Sequence, residues 1–326
     1  MALRLLSDDD VRAVIGADTA LELARRVLRD QAEGRAILSR PSAMILDASP
    51  VDGPKAKFKA AAVGHLAASG IRLLAHPSPT EKTCNYCAIF KHEDAALSGL
   101  VAERWLSRIR TAAFGVASIE RLVSPGPLVV ALLGAGGIAA EIVPLIARAL
   151  PVKELRVSSR RPESMSAFAQ AHAPAAPFPV RAEADRGRLL RDADLVITLT
   201  ESRNPLVLPG MLKPGAVVCS MGSYNELDYG VLREAERLVV DDADFAAEMG
   251  DGAAWIAQGH LTRAQFVERI DALACEVPSG RKPGRRAAAD RIVALVQGMA
   301  IGDVAFAAHA LREAEKTGRG TLVELP

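Results

Sequence analysis

The stretch Leu128-Val-Val-Ala-Leu-Leu-Gly134-Ala-Gly136-Gly137-Ile138-Ala139-Ala-Glu141 decides how the rest of the chain is read. Six apolar residues without a charge suit a strand buried on both faces, and Ile142-Val-Pro-Leu-Ile146 continues in a helical pattern. Between them, Gly134 permits a tight turn and Gly136 lets a pyrophosphate approach the backbone. Gly137 and Ile138 open the helix, whose free amides would take the phosphates, and Ala139 is small enough for close helix–strand packing. The order strand, glycine turn, helix predicts a dinucleotide site; a phosphate-free glycine turn is the plainer alternative.

The following strand predicts which dinucleotide. It runs Leu155-Arg-Val-Ser-Ser159-Arg160-Arg161, with no Asp or Glu at its end to accept a ribose 2'-hydroxyl. A hydroxyl and two guanidinium groups suit a 2'-phosphate, which a carboxylate would repel. NADP(H) is therefore preferred, with NAD(H) possible; a solvated basic turn is the competing reading.

Outward from this stretch the chain divides in two. From Leu128 onward strands alternate with helices, near 128–133, 154–158, 178–181, 194–199, 216–219, 237–240 and 291–296, which predicts a Rossmann-type, doubly wound parallel sheet. Ser124-Pro-Gly-Pro127 reads as the linker into it. Upstream, Ser7-Asp-Asp-Asp10 has capping-box spacing ahead of a helix, and a second helix is expected over 19–33. Ala36 to Asp47 reads as extended. Short strand-like runs then follow at 57–62, 71–75, 86–90 and 97–101, which predict an open, mainly antiparallel sheet or half-barrel, followed by a helix from about 103 to 121. A final helix over 303–317 is expected to return to this first domain. The expectation is α/β overall: residues 1–123 with 303–326 form an α+β domain, and 124–302 form the nucleotide domain.

The chain has 326 residues, half of them hydrophobic, and a formal net charge of +1. That balance gives no reason to expect nucleic acid or a membrane surface as partner. No apolar run approaches a membrane span and no leader is evident, so a cytoplasmic protein is expected. The basic run Ser279 to Arg286 is short and lacks interleaved aromatics, so it reads as a solvated loop. Cys84-Asn-Tyr-Cys87 is formally CxxC, but no second ligand pair accompanies it and the following residues look like a strand. Cys84, Cys87, Cys219 and Cys275 are read as structural thiols, and no metal site is expected.

Four cations of the first domain sit where their surroundings have little need of charge: Arg40, Lys59, Arg72 and Arg110. A charge among apolar neighbours must be paired or must bind an anion, and a small carboxylate is the economical choice. Arg110 is expected to meet that carboxylate rather than pair with Glu103 or Asp303.

These residues carry a family resemblance. Arg40, Gly70-Ile-Arg72, Arg110-Thr-Ala-Ala113 after Trp105-Leu106, Gly134-Ala-Gly136, Ser159-Arg160, Met221-Gly-Ser223 and Gly298 with Asp303-Val-Ala resemble the ornithine cyclodeaminase/mu-crystallin family over nearly the whole chain. The resemblance implies a homodimer built through the first domain's sheet, and a small imino- or amino-acid substrate whose carboxylate Arg40, Arg72 and Arg110 would hold. It also implies cofactor contacts at Thr200, Met221, Gly222 and Ser223. Met44, Tyr86, Ser223 and Tyr224 would line the substrate's side-chain pocket. Arg72 stands where the family has lysine, so Lys59 is the candidate proton donor, because a guanidinium stays protonated. Ser223 replaces the carboxylate expected in true cyclodeaminases, unless Glu226 or Asp228 is brought in by a loop rearrangement. The reading this implies is an NADP(H)-dependent reductase of α-imino acids, catalysed through Lys59, Arg72 and Arg110. Ornithine cyclodeamination and mu-crystallin-like ligand binding are the alternatives.

Overall fold

A computed structural model describes residues 2–51, 55–76 and 85–324. Two compact units emerge, Met1–Thr111 with Met299–Pro326, and Ala112–Gly298. The changeover falls inside the helix Arg104–Ile119, upstream of the expected linker at residues 124–127.

The first unit is an eight-stranded sheet in the order Thr321–Glu324, Ala2–Leu6, Leu97–Ala102, Tyr86–Lys91, Ala68–His76, Lys55–Val63 and Ala36–Leu38, with Met44–Asp47 also on Lys55–Val63. Ala2–Leu6 runs parallel to Leu97–Ala102, and the other pairs are antiparallel. The sequence pattern marks neither terminal strand, because both are short and their pairing partners are remote. The capping box is as expected: the Ser7 side chain accepts from the Asp10 amide and Asp10 accepts from Ser7.

Strand alternation sorts side chains to two faces. Val63, Ala61, Lys59 and Lys57 share one face with Ala68, Gly70, Arg72 and Leu74 of the neighbouring strand, and Lys59 stands directly opposite Arg72. The helix Ala300–Lys316, with Val304, Phe306 and Leu311 buried, packs on that face. A Cβ at Gly70 would lie 2.6 Å from the Ala88 carbonyl and 3.1 Å from Val304, so glycine there admits the helix. The far face presents Met44, Phe58, Leu73 and Tyr86 in one cross-strand row.

The second unit is a parallel sheet in the order Val180–Ala182, Val152–Ser158, Leu128–Leu133, Leu195–Thr198, Val217–Ser220, Ile292–Leu295, Arg237–Val240 and Ala272–Leu273. Its central strands are buried except for the half-buried Val129, as uncharged apolar runs require. The chain winds outward from Leu128–Leu133 in one direction, then restarts on its other side at Leu195–Thr198. Gly134 therefore sits at the topological switch point, where open α/β sheets bind ligands.

Candidate functional site

At the switch point, Gly134 adopts φ +119°, and a Cβ there would come within 2.5 Å of the Leu199 carbonyl. Only glycine fits the turn. Gly136 is the N-cap of the helix Gly137–Ala149, and a Cβ built on it meets nothing within 4 Å. The space in front of the first helical amides of Gly137 and Ile138 is thus open, a cradle that a side chain would fill and that fits a pyrophosphate. One strand over, Ser159 Oγ donates to the Arg161 carbonyl at 2.8 Å, and Arg160 and Arg161 are exposed.

Two fully buried carboxylates lie at the ends of the next two strands. Glu226 accepts from Thr198 Oγ1 at 2.7 Å, from both the amide and Oγ1 of Thr200 at 2.6 Å, and from the Gly222 amide at 3.0 Å. Asp251 accepts from the Glu226 and Leu227 amides at 2.6 and 2.8 Å, and Ser220 Oγ lies 2.5 Å from its second oxygen. Burial, opposed by the Ser220 contact, pushes the Asp251 carboxyl up to about 7. The donors of Thr200 and Gly222 are therefore committed to Glu226, and those residues shape the cofactor turns rather than offering free donors. Met221 is also buried, its thioether filling the space a Cβ on Gly115 would need.

In the first unit, the sheet brings together what the sequence scatters. Lys59, Arg72, Glu103, Arg110 and Asp303 are all buried, and Lys57 is half-buried beside them. Arg72 Nε is ion-paired with Glu103, its Nη2 lies 2.8 Å from Ser107 Oγ, and Asp303 approaches at 3.5 Å. Arg110 Nε lies 2.6 Å from Asp303 Oδ1 without an aligned hydrogen bond, and Arg110 Nη1 has no hydrogen-bond acceptor among the described residues. Glu103 Oε1 and both Asp303 oxygens likewise lack hydrogen bonds. Burial, with Lys57, Arg72 and Arg110 nearby, lowers the Lys59 ammonium to about 7. Lys57 falls to about 8 for the same reasons, and burial raises Glu103 to about 7. The result is an array of guanidinium donors around an amine poised to exchange a proton near neutrality.

Not every predicted residue joins this array. Arg110 pairs with Asp303, contrary to the expectation that it would avoid an acid, because a buried guanidinium needs a counter-charge on a helix packed this closely. Met44 and Tyr86, 59% and 38% exposed, stand on the opposite face of the sheet from Lys59 and Arg72, since the pleat alternates and each is one residue out of phase. Arg40 is exposed. In the second unit Ser223 and Tyr224 are exposed, with Arg203 over the Tyr224 ring at 4.9 Å. Neither Glu226 nor Asp228 takes the missing carboxylate's place: Glu226 is enclosed by its donors and Asp228 caps the helix Tyr229–Glu234.

Sequence reading missed Lys57 and Ser107, although a lysine two positions before Lys59 necessarily shares its face. It also missed Asp251. Cys87, Cys219 and Cys275 are buried free thiols, and Cys84 lies outside the described residues. Among the described residues no group of three or more His, Cys, Asp or Glu is placed to hold a metal, and no helix is long and apolar enough to cross a membrane.

Comparison with known proteins places this geometry. The profile of the ornithine cyclodeaminase/mu-crystallin family matches residues 84–318. The chain is 36% identical over 148 residues to a Delta(1)-pyrroline-2-carboxylate/Delta(1)-piperideine-2-carboxylate reductase of Azospirillum brasilense, covering 44% of this chain and 46% of that one. It is 28% identical over 244 residues to an iminosuccinate reductase of Paracoccus denitrificans, covering 73% and 72%. Its fold matches that of the Thermococcus litoralis Delta(1)-pyrroline-2-carboxylate reductase, solved with NADH and L-proline, at TM-score 0.88 and 20% identity over 98% of this chain and 99% of that one.

Proposed function

The chain belongs to the ornithine cyclodeaminase/mu-crystallin family, and from that premise we propose that it is an NAD(P)H-dependent reductase of α-imino acids, with NADP(H) the preferred cofactor. The observation that carries the reading is the buried pairing of Lys59 with Arg72 across one hairpin, beside an Arg110 whose Nη1 has no acceptor among the described residues. Its relatives' names, which include reductases of cyclic imino acids and of iminosuccinate, support the same reaction class.

A dinucleotide held by its pyrophosphate at the Gly134–Ile138 turn would supply the hydride from its nicotinamide. The protein's share is to orient the acceptor and manage a proton. Arg72 and Arg110 hold the substrate carboxylate, their orientations preset by Glu103, Ser107 and Asp303. Lys59 Nζ delivers a proton to the imine nitrogen as that atom gains electron density. A group near 7 suits this role, since it can donate and be recharged at neutral pH. Arg160, Arg161 and Ser159 take the 2'-phosphate of NADP(H).

Reduction is favoured over cyclodeamination by one observation. Closing a ring on the imine needs a carboxylate to deprotonate or orient a second amine. At that place Ser223 is exposed, while Glu226 and Asp228 are committed elsewhere.

The apolar row Met44, Phe58, Leu73 and Tyr86 on the sheet's far face, with Ile45, Leu46 and Ile71 also exposed, supports a homodimer through that sheet. The deciding experiment is spectrophotometric. Loss of NADPH absorbance with cyclic imino acids, or with α-keto acids plus ammonia, is expected; ammonia release from L-ornithine without net cofactor change would replace reduction with cyclisation.

A further inference from the structure

Glu226 and Asp251 enclose the segments that flank the glycine turn. Strand Leu195–Thr198 leads into Leu199, whose carbonyl sits against Gly134 where a Cβ would clash at 2.5 Å. The next residue, Thr200, is gripped at both its amide and its hydroxyl by Glu226 Oε1. Glu226 Oε2 grips the Gly222 amide just beyond strand Val217–Ser220. One carboxylate therefore ties together the two strand ends that form the floor beside the nucleotide turn. Asp251 in turn places Glu226, by accepting from its amide and from that of Leu227.

The two acids communicate through Ser220. Its Oγ lies 2.5 Å from Asp251 Oδ2 and 3.3 Å from Glu226 Oε2. A serine hydroxyl carries one hydrogen and can donate to only one of them. Neither acid has a basic side chain in ion-pair range among the described residues, and two bare charges in such a place are costly. The other titratable groups nearby are Asp241 and Cys219: Asp241 and Glu226 both bear on the buried Cys219 thiol, and Asp241 accepts from the Asp242, Gln297 and Gly298 amides.

We propose that Asp251 and Glu226 are positioning residues for the dinucleotide: a proton on Asp251 Oδ2 is donated to Ser220 Oγ, Ser220 donates to the Glu226 carboxylate, and this relay holds the Thr200 and Gly222 turns in their cofactor-binding arrangement. The inference rests on the reading that the dinucleotide lies at Gly134–Ile138. Loss of the proton puts two like charges on one serine, and the turns shift. Cofactor affinity consequently weakens as pH rises through the range in which Asp251 ionises, centred near 7.

The test is a fluorescence titration of the full chain with NADPH and with NADH, from pH 5.5 to 9. The native chain is expected to lose at least fivefold in affinity between pH 6 and 8.5. Asp251→Asn, which keeps a donor toward Ser220 and an acceptor toward the two amides, is expected to bind at the native pH 6 strength throughout. Glu226→Gln, whose amide cannot accept from Thr198, Thr200 and Gly222 together, is expected to weaken binding more than tenfold at every pH and to raise cofactor KM more than it lowers kcat. Native and Asp251→Asn chains with superimposable pH profiles would overturn the relay, even if the variant melts lower. Failure of both chains to bind either cofactor at any pH would overturn the dinucleotide reading itself, and the relay with it.

Discussion

The two units each bury a group of charges, and they treat them in opposite ways. In the second unit every carboxyl oxygen of Glu226 and Asp251 has a hydrogen-bond partner. In the first, both oxygens of Asp303, one of Glu103 and two nitrogens of Arg110 have no hydrogen bond among the described residues, though the charges touch. Buried polar groups in folded proteins are nearly always satisfied, so a cluster of exceptions calls for an explanation, and a bound ligand is the one the proposed function supplies. Under the proposed function, the contrast separates a group that holds the backbone from one that a substrate carboxylate completes.

The strongest way to break this contrast is to remove the acid that both arginines share. Asp303→Ala leaves Arg72 and Arg110 buried without it, and stability should fall by about 3–5 kcal/mol. Urea denaturation checks this, and a loss under 1 kcal/mol would show the cluster to be well solvated. Arg110→Lys tests the same cluster for function. The charge remains but the two-pronged geometry goes, so kcat/KM for an imino acid should drop roughly 100-fold, about 3 kcal/mol, with cofactor binding and melting temperature nearly unchanged. A variant that melts lower yet turns over normally would make Arg110 part of the scaffold.

Lys59 sharpens the point, because a group kept for chemistry should cost stability. In the unfolded chain a lysine titrates near 10.5, and in the fold Lys59 titrates near 7. Between those values the unfolded chain binds more protons, so this residue makes stability rise with pH. Lys59→Met should therefore stabilise the protein at pH 7, on the order of 2 kcal/mol, with the gain vanishing toward pH 10.5. The same variant should lose reductase activity. Unfolding free energies at pH 7 and 10 decide it: a variant less stable than the native chain at pH 7 would mean that Lys59 is held for packing.

How far the sequence reveals these groups follows from their physics. The glycine turn is legible because its constraints are local: a positive φ at Gly134 and an open Cβ position at Gly136 each leave a glycine in a fixed place. Strand positions of Lys59 and Arg72 are legible as well, but their face-to-face pairing depends on hairpin register across the turn at residues 64–67. Met44 and Tyr86 went astray for that reason, since one step along a strand exchanges the faces. The Glu226–Asp251 pair leaves no pattern at all. Two acids 25 positions apart meet only once strands Leu195–Thr198 and Val217–Ser220 lie side by side, and nothing in their neighbours' hydropathy announces it.

The smallest expected effect lies at the exposed turn after strand Val152–Ser158, which belongs to neither buried group. Arg160 and Arg161 are solvent-exposed, and Ser159 closes the turn through its bond to the Arg161 carbonyl. A 2'-phosphate bound there is reached by water and screened by salt, so its contacts count at the low end of charge-assisted bonds. Replacing both arginines by glutamine should weaken NADPH binding by about 2 kcal/mol, some 30-fold, and leave NADH within twofold. The NADPH penalty should shrink as salt rises from 0.05 to 0.5 M, on the order of several-fold, because exposed charges act through a screened field. Titrations with both cofactors at the two salt concentrations read this directly. Equal native affinities for NADH and NADPH would remove the 2'-phosphate from this turn and leave the arginines as a solvated surface.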